Sequence, residues 1–197
     1  PLHSSAASDV YKRQNKLISD DIFGKQFFAK YYLVILGVIL LTVSSKISIP
    51  FFPIAMTLQT LIVYFISSFM GIFGFYSVLI YLILGTLGLP LFTNGGGLEY
   101  LASPMYGFLY GMVLASFVIS YILKKSLKIN LTKISVAILS GTFTIYFFGV
   151  CHLSFFIGFK EAFMIGFLPL IYSELFKAIL AIVCLLYTSD AADECSG

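Results

Sequence analysis

Two ionisable side chains sit inside an apolar run near the end of the sequence. Glu174 and Lys177 lie in FLPLIYSELFK, residues 167–177. Their i, i+3 spacing puts both on one face of a helix. Intramembrane charges are costly and mark functional sites. Either the two neutralise each other, or Glu174 accepts N–H groups from a ligand while Lys177 donates to a carboxylate or carbonyl. A second candidate is Asn94-Gly95-Gly96-Gly97. Three consecutive residues without a Cβ allow a close backbone approach to a ligand, or a plain flexible turn. The run lacks the strand and the GK[ST] of a phosphate loop, which excludes nucleotide binding there. Thr57 and Gln59 are polar at the start of an apolar helix, and Thr57 also reads as an N-cap. His152 and Cys151 close a later helix, where a lone histidine caps or faces the interface more often than it ligates. The sequence holds no Ser/His/Asp set and no paired carboxylates with supporting partners, which points away from an enzyme and from any cofactor.

The elements that must position these groups follow from composition. The chain has 197 residues, 59% hydrophobic and 11% charged, with mean hydropathy +0.99. A soluble domain is about 45–50% apolar and about 25% charged. One small core cannot bury so much apolar surface, because a domain of this size leaves much of its surface in water. Lipid is therefore the solvent. The formal charge of +3 is too weak and dispersed for a nucleic-acid partner.

The two ends read as something other than native protein. Residues 4–14, SSAASDVYKRQ, back-translate to a transposase-type sequencing adaptor, and residues 184–194, CLLYTSDAADE, to the reverse complement of the same DNA string. Such scars are set aside in reasoning about fold. The expected division is 1–14 adaptor-derived, 15–183 native membrane domain and 184–197 adaptor-derived. One cysteine (Cys151), one histidine (His152) and ten lysines against five acids then remain, a formal +5. No disulfide framework or metal-ligand set survives.

A spanning helix needs about 20 mostly apolar residues. Runs at 29–45, 58–91, 105–123, 131–153 and 163–183 meet this, and 58–91 is long enough for two crossings broken at Gly71 and Gly74. The reading is an all-α integral membrane protein with six transmembrane helices. Pro50 and Pro53 deny a regular helix between the first two runs. Residues 15–30 suit either an amphipathic lead-in on the membrane surface or a solvated juxtamembrane segment. With the N-terminus inside, Lys16, Lys25, Lys30, Lys124, Lys125, Lys128 and Lys133 are cytoplasmic, while only Lys46 and Lys160 are outside. This positive-inside bias predicts a multi-pass protein of the cytoplasmic membrane with its N-terminus inside. Residues 47–59, 94–104 and 167–177 then share the outer face. Irregular backbone at membrane depth is tolerated only where it is buried or lines a cavity, so these segments are either short connectors or the rim of an outward-opening pocket.

Residues 46–63 (KISIPFFPIAMTLQTLIV), 79–97 (LIYLILGTLGLPLFTNGGG), 103–112 (SPMYGFLYGM) and 167–177 together resemble the BioY family. These are the biotin-binding S components of energy-coupling factor (ECF) transporters. The likeness covers 15–183 in order. Its most specific parts are the P-x-T-L-Q-T run, with Ala55 in place of proline, and the L-Y-L-x-L-G-x-x-G-L-P-x-F run, with Ile80 in place of leucine. It implies an S-component-like bundle that captures biotin as transported ligand at the outer face. Delivery inward would use an ECF module of a transmembrane T subunit and two ATPases, although some members are thought to work alone. It also implies biotin contacts at Thr57 and Gln59, at Asn94, Gly95 and Gly96, and at Glu174 and Lys177.

The chain departs from the family pattern in three further places. Ser173-Glu174 replaces the usual Gly-Asp, so the carboxylate reaches one methylene further. Met105 and Phe108 each replace a hydroxyl-bearing residue. On the first helix, expected to dock the T subunit, Gly37 is followed by Leu41 where a second small residue would help close packing. An S component for another vitamin, or a membrane partner protein that binds no ligand, are the alternatives.

Overall fold

The computed structural model describes residues 31–49, 56–124 and 130–195, with side chains up to residue 188. The adaptor-like residues 1–14, the lead-in 15–30, Pro50, Pro53, Lys125 and Lys128 lie outside the described residues.

Seven helices are described. They are α1 (Tyr31–Lys46), α2 (Gln59–Phe69), α3 (Ile72–Thr86), α4 (Tyr106–Lys124), α5 (Leu131–Ile157), α6 (Phe159–Gly166) and α7 (Leu168–Cys195). A short 3-10 turn covers Leu98–Ala102. Two-residue strands β1 (Ser48–Ile49) and β2 (Met56–Thr57) pair antiparallel between α1 and α2, with Ser48 opposite Thr57. Helices α4, α5 and the stretch Leu168–Thr188 of α7 are long and apolar enough to cross a membrane, while α1, α2 and α3 are shorter apolar helices.

The expected break inside residues 58–91 falls at Gly71. This residue has φ 55°, a left-handed conformation that favours glycine. Gly74 then lets α3 pass directly over α2, since a Cβ there would lie 2.4 Å from the Ile66 carbonyl oxygen. The Ser120 hydroxyl of α4 lies within hydrogen-bond reach of the Ser67 and Gly71 carbonyls, at 3.1 and 2.8 Å, and so covers the Ser67 acceptor freed at the turn.

Three boundaries differ from the sequence expectation, one of them the end of the last helix, which runs to Cys195 rather than stopping at residue 183. Helix α5 continues through Cys151 and His152 to Ile157 instead of ending there. The final apolar run is two helices, not one from residue 163, because α6 ends at Gly166 and α7 starts afresh at Leu168. Pro169 fits the new start, since a first-turn N–H has no helical acceptor to lose. Residues 168–177 are therefore the opening turns of α7 rather than a loop.

The core contains Val63 and Tyr64 of α2, Tyr81 of α3, Ile119 of α4, Ile138 and Ile145 of α5, and Ala178 of α7, each 2% exposed or less. Large apolar side chains also cover the outside, including Phe143, Tyr172 and Phe176, each at least 69% exposed. Helices apolar on every side belong in lipid. Gly37 and Leu41 face inward, against Ser77 of α3 and the core respectively. The glycine expected at a docking face is thus occupied by the chain's own third helix.

Candidate functional site

The amino ends of α2, α4 and α7 converge beside the carboxyl half of α5 and enclose a small cavity of about 80 Å³ that is partly open to solvent. Its lining comprises Thr57, Thr60, Phe108, Met112, Ile145, Tyr146, Leu170, Ser173, Glu174 and Lys177. An apolar wall with a few convergent polar groups is the usual make-up of a small-molecule site. At 1.5 Å per residue, Glu174 and Lys177 stand about 9 and 14 Å along α7 from its start.

The polar groups form one chain of contacts. The Lys177 Nζ donates to the Glu174 Oε2 and to the Thr60 Oγ1, each at 3.0 Å. The Tyr64 hydroxyl donates to the Glu174 Oε1 at 2.7 Å and lies 2.8 Å from the Thr142 Oγ1. Glu174 is 3% exposed and Lys177 8%. Burying a charge is costly unless it is paired and hydrogen-bonded, and both conditions hold. The carboxylate has about four acceptor positions and the ammonium three donors, so each retains capacity toward the cavity after these contacts.

Thr57, Glu174 and Lys177 of the sequence-predicted residues therefore meet in one cavity. Thr57 sits in β2 and does not cap α2, whose N-cap is Leu58. Gln59, 4% exposed, turns instead toward the Tyr81 hydroxyl, alongside Ser45. Asn94, Gly95 and Gly96 do not line this cavity. They form a tight turn packed on the end of α3, in which Phe92 and Gly95 exchange backbone hydrogen bonds of 2.8 and 3.2 Å. Gly97 donates to the Gly85 carbonyl at 2.9 Å. A Cβ on Gly96 would fall 2.0 Å from the Leu89 oxygen, so the absence of a side chain there serves the packing of the turn against neighbouring backbone.

That turn is tied to α1. The Ser45 hydroxyl donates to the Leu91 carbonyl at 2.6 Å, and the Lys46 ammonium donates to the Phe92 carbonyl. Tyr81 adds a bond to Leu91 at 3.1 Å. The Phe92 ring is wedged between Tyr81 and Tyr100, at centroid distances of 5.4 and 4.8 Å. His152 is interior to α5, between the rings of Tyr110 and Phe156, and its Nε2 has no hydrogen-bond partner among the described residues. No cluster of three potential metal ligands occurs among the described residues.

Thr60, Tyr64 and Thr142 were not among the expected site residues. Thr57, Thr60 and Tyr64 do recur at helical spacing, which is a legible stripe. Nothing local distinguishes Thr142 from Ser140 or Thr144 on the same helix. Phe108 and Met112 of α4 give the cavity an apolar wall, where the family pattern carries a hydroxyl at position 108.

Comparison with known proteins identifies relatives of this chain. The model of the BioY family matches residues 15–194. A probable biotin transporter BioY of Pyrococcus horikoshii is 35% identical over 153 residues, 77% of this chain and 90% of the relative. The biotin transporter BioY of Thermotoga maritima is 34% identical over 145 residues, 72% of this chain and 85% of the relative. Among solved structures, the S component for biotin from an ECF-type ABC transporter superposes with a TM-score of 0.73. It is 24% identical and covers 83% of this chain and 92% of that one. This likeness shows a shared fold.

Proposed function

Since the chain belongs to the BioY family, we propose that it is the substrate-binding membrane subunit of a biotin-uptake system. It is a multi-pass membrane protein of a transporter family and not an enzyme. The observation that carries the reading is the buried Glu174–Lys177 pair, 3.0 Å apart, on the wall of a mainly apolar cavity. Biotin joins an apolar thioether ring and aliphatic chain to a cyclic urea and a carboxylate. Phe108, Met112, Ile145 and Leu170 suit the apolar part. Glu174 accepts the urea N–H groups, and the free N–H of Lys177 donates to a carbonyl or carboxylate oxygen. Thr57 lines the same cavity and supplies a hydroxyl. Gln59, buried at the start of α2, and Asn94, Gly95 and Gly96, in the turn beyond α3, act in this reading by shaping the structure around the cavity.

In this reading the cavity opens to the outer face of the cytoplasmic membrane, with the N-terminus inside. Its support is the lysine distribution, seven inside against two outside. Inward delivery uses a T subunit and two ATPases of an ECF module. The native segment is 15–183, supported by the single DNA string that encodes both flanking sequences.

Thermal unfolding of the detergent-purified protein with and without biotin tests the reading, with biocytin and thiamine as controls. A ligand that binds only the folded state stabilises by about 2.7 kcal/mol at one hundred times its Kd. For a chain of this size that corresponds to about 5–11 °C. A shift of this order with biotin and none with thiamine is expected. A folded sample that biotin does not shift, or that thiamine shifts equally, would overturn the assignment.

A further inference from the structure

We propose that Tyr64 is a positioning residue for the ligand-binding carboxylate and that Thr142 acts through it. This rests on the reading of Glu174 as a biotin contact. Tyr64 is fully buried in α2, and Thr142, 5% exposed, stands opposite on α5. Neither is adjacent in sequence to Glu174, yet the three meet through hydrogen bonds of 2.8 and 2.7 Å.

Counting protons gives the chain a direction. A tyrosine hydroxyl has one proton to donate. Because Tyr64 gives its proton to the Glu174 Oε1, its oxygen can only accept from Thr142. The Thr142 proton has a second acceptor in reach, the Ile138 carbonyl at 2.9 Å, which is one turn back on its own helix. The Thr142 hydroxyl therefore has two settings. Turned to Tyr64, it completes the sequence Thr142→Tyr64→Glu174. Turned to Ile138, it leaves the tyrosine oxygen without that donor. Hydrogen bonds in such a chain polarise one another, so the first setting strengthens the Tyr64–Glu174 bond.

Glutamate has three side-chain torsions, and loss of that freedom opposes every contact it makes. Tyr64 fixes Oε1 from the α2 side while Lys177 fixes Oε2 from the α7 side. The carboxylate thus faces the cavity in one orientation before a ligand arrives, and preorganisation of this kind improves affinity by removing an ordering cost. The consequence is specificity. A fixed carboxylate rewards a ligand whose N–H groups match its direction, and a mobile one discriminates less.

The test uses Tyr64→Phe, Thr142→Val, Thr142→Ser and the double variant Y64F/T142V in the full-length protein. Biotin affinity is measured by calorimetry, together with that of a biotin analogue methylated on one urea nitrogen. Apo thermal unfolding reports the fold. Y64F keeps the buried ring and removes only the hydroxyl. It is expected to weaken biotin binding about tenfold or more, the scale of a hydrogen bond to a charged group. The biotin-to-methylbiotin ratio should fall with it. T142V should give a smaller loss that T142S restores. Because Thr142 acts only through Tyr64, the double variant should bind like Y64F alone. Wild-type affinity and an unchanged ratio in Y64F would overturn the proposal, as would a double variant in which the two losses add. If the wild-type protein itself does not bind biotin, the underlying reading of the site fails instead.

Discussion

Replacing Lys177 by methionine isolates a buried carboxylate, and the structure sets the size of the effect. Glu174 is 3% exposed, and the substitution removes its 3.0 Å ammonium partner while leaving the Tyr64 hydroxyl at 2.7 Å. Breaking a buried ion pair from one side costs about 3–5 kcal/mol, because the remaining charge stays desolvated without its counterion. The same holds for Glu174→Gln, which leaves the Lys177 ammonium without its counter-charge and beside the neutral Thr60 hydroxyl. Replacing both partners at once is often near neutral. At about 2–4 °C per kcal/mol for a chain of this size, K177M and E174Q should each melt about 6–20 °C below the wild type. E174Q/K177M should melt closer to the wild type than either single variant. The chain has no tryptophan, so the melts are best followed by far-UV circular dichroism in detergent. Two single variants that melt with the wild type, or a double variant whose loss equals the sum of the two, would refute the reasoning. In that event the pair is solvated through the cavity rather than mutually dependent.

Two further outcomes are expected. Gly96→Ala would bring a Cβ within 2.0 Å of the Leu89 oxygen, and relief of that overlap should cost about 1–3 kcal/mol in paired thermal melts, whereas Leu98→Ala, at a side chain 70% exposed, should stay within about 0.5 kcal/mol; equal melting of the two would count against the packing account of the glycine run. In a background with Cys151, Cys184 and Cys195 replaced by alanine, Lys160→Cys should react with a membrane-impermeant maleimide in intact cells and Lys124→Cys only after permeabilisation, and the reverse pattern would invert the assigned topology.

The sequence made the helical hairpin of α2 and α3 visible because glycine punctuates it. Gly71 supplies a positive φ and Gly74 a close crossing, and no other residue type substitutes easily at either place. It likewise exposed Glu174 and Lys177, since charge inside an apolar run is conspicuous wherever it occurs. The division of the last run into α6 and α7 was less visible. Gly166 and Pro169 mark it, but hydropathy stays high on both sides of the break. The glycine run at 95–97 was legible as irregular backbone, yet its role depended on where Leu89 and Gly85 lie, which no local spacing encodes.

The deeper reason is the solvent. In a water-soluble helix, apolar periodicity separates the packed face from the wet one. Here Tyr64, fully buried, and Tyr172, 76% exposed, are the same residue type in helices that meet across the bundle. Apolar side chains therefore say little about which way a helix faces. That information passes to the hydroxyls and charges, because an unpartnered polar group is costly in hydrocarbon and must turn toward a partner. The stripe Thr57, Thr60 and Tyr64 on the α2 side and the pair Glu174 and Lys177 on α7 each point inward for that reason, and their meeting defines the cavity wall. Thr142 escapes such a reading because its hydroxyl satisfies itself on the Ile138 carbonyl of its own helix. A hydroxyl with a local acceptor carries no orientation until the helix opposite supplies a second one, as Tyr64 does.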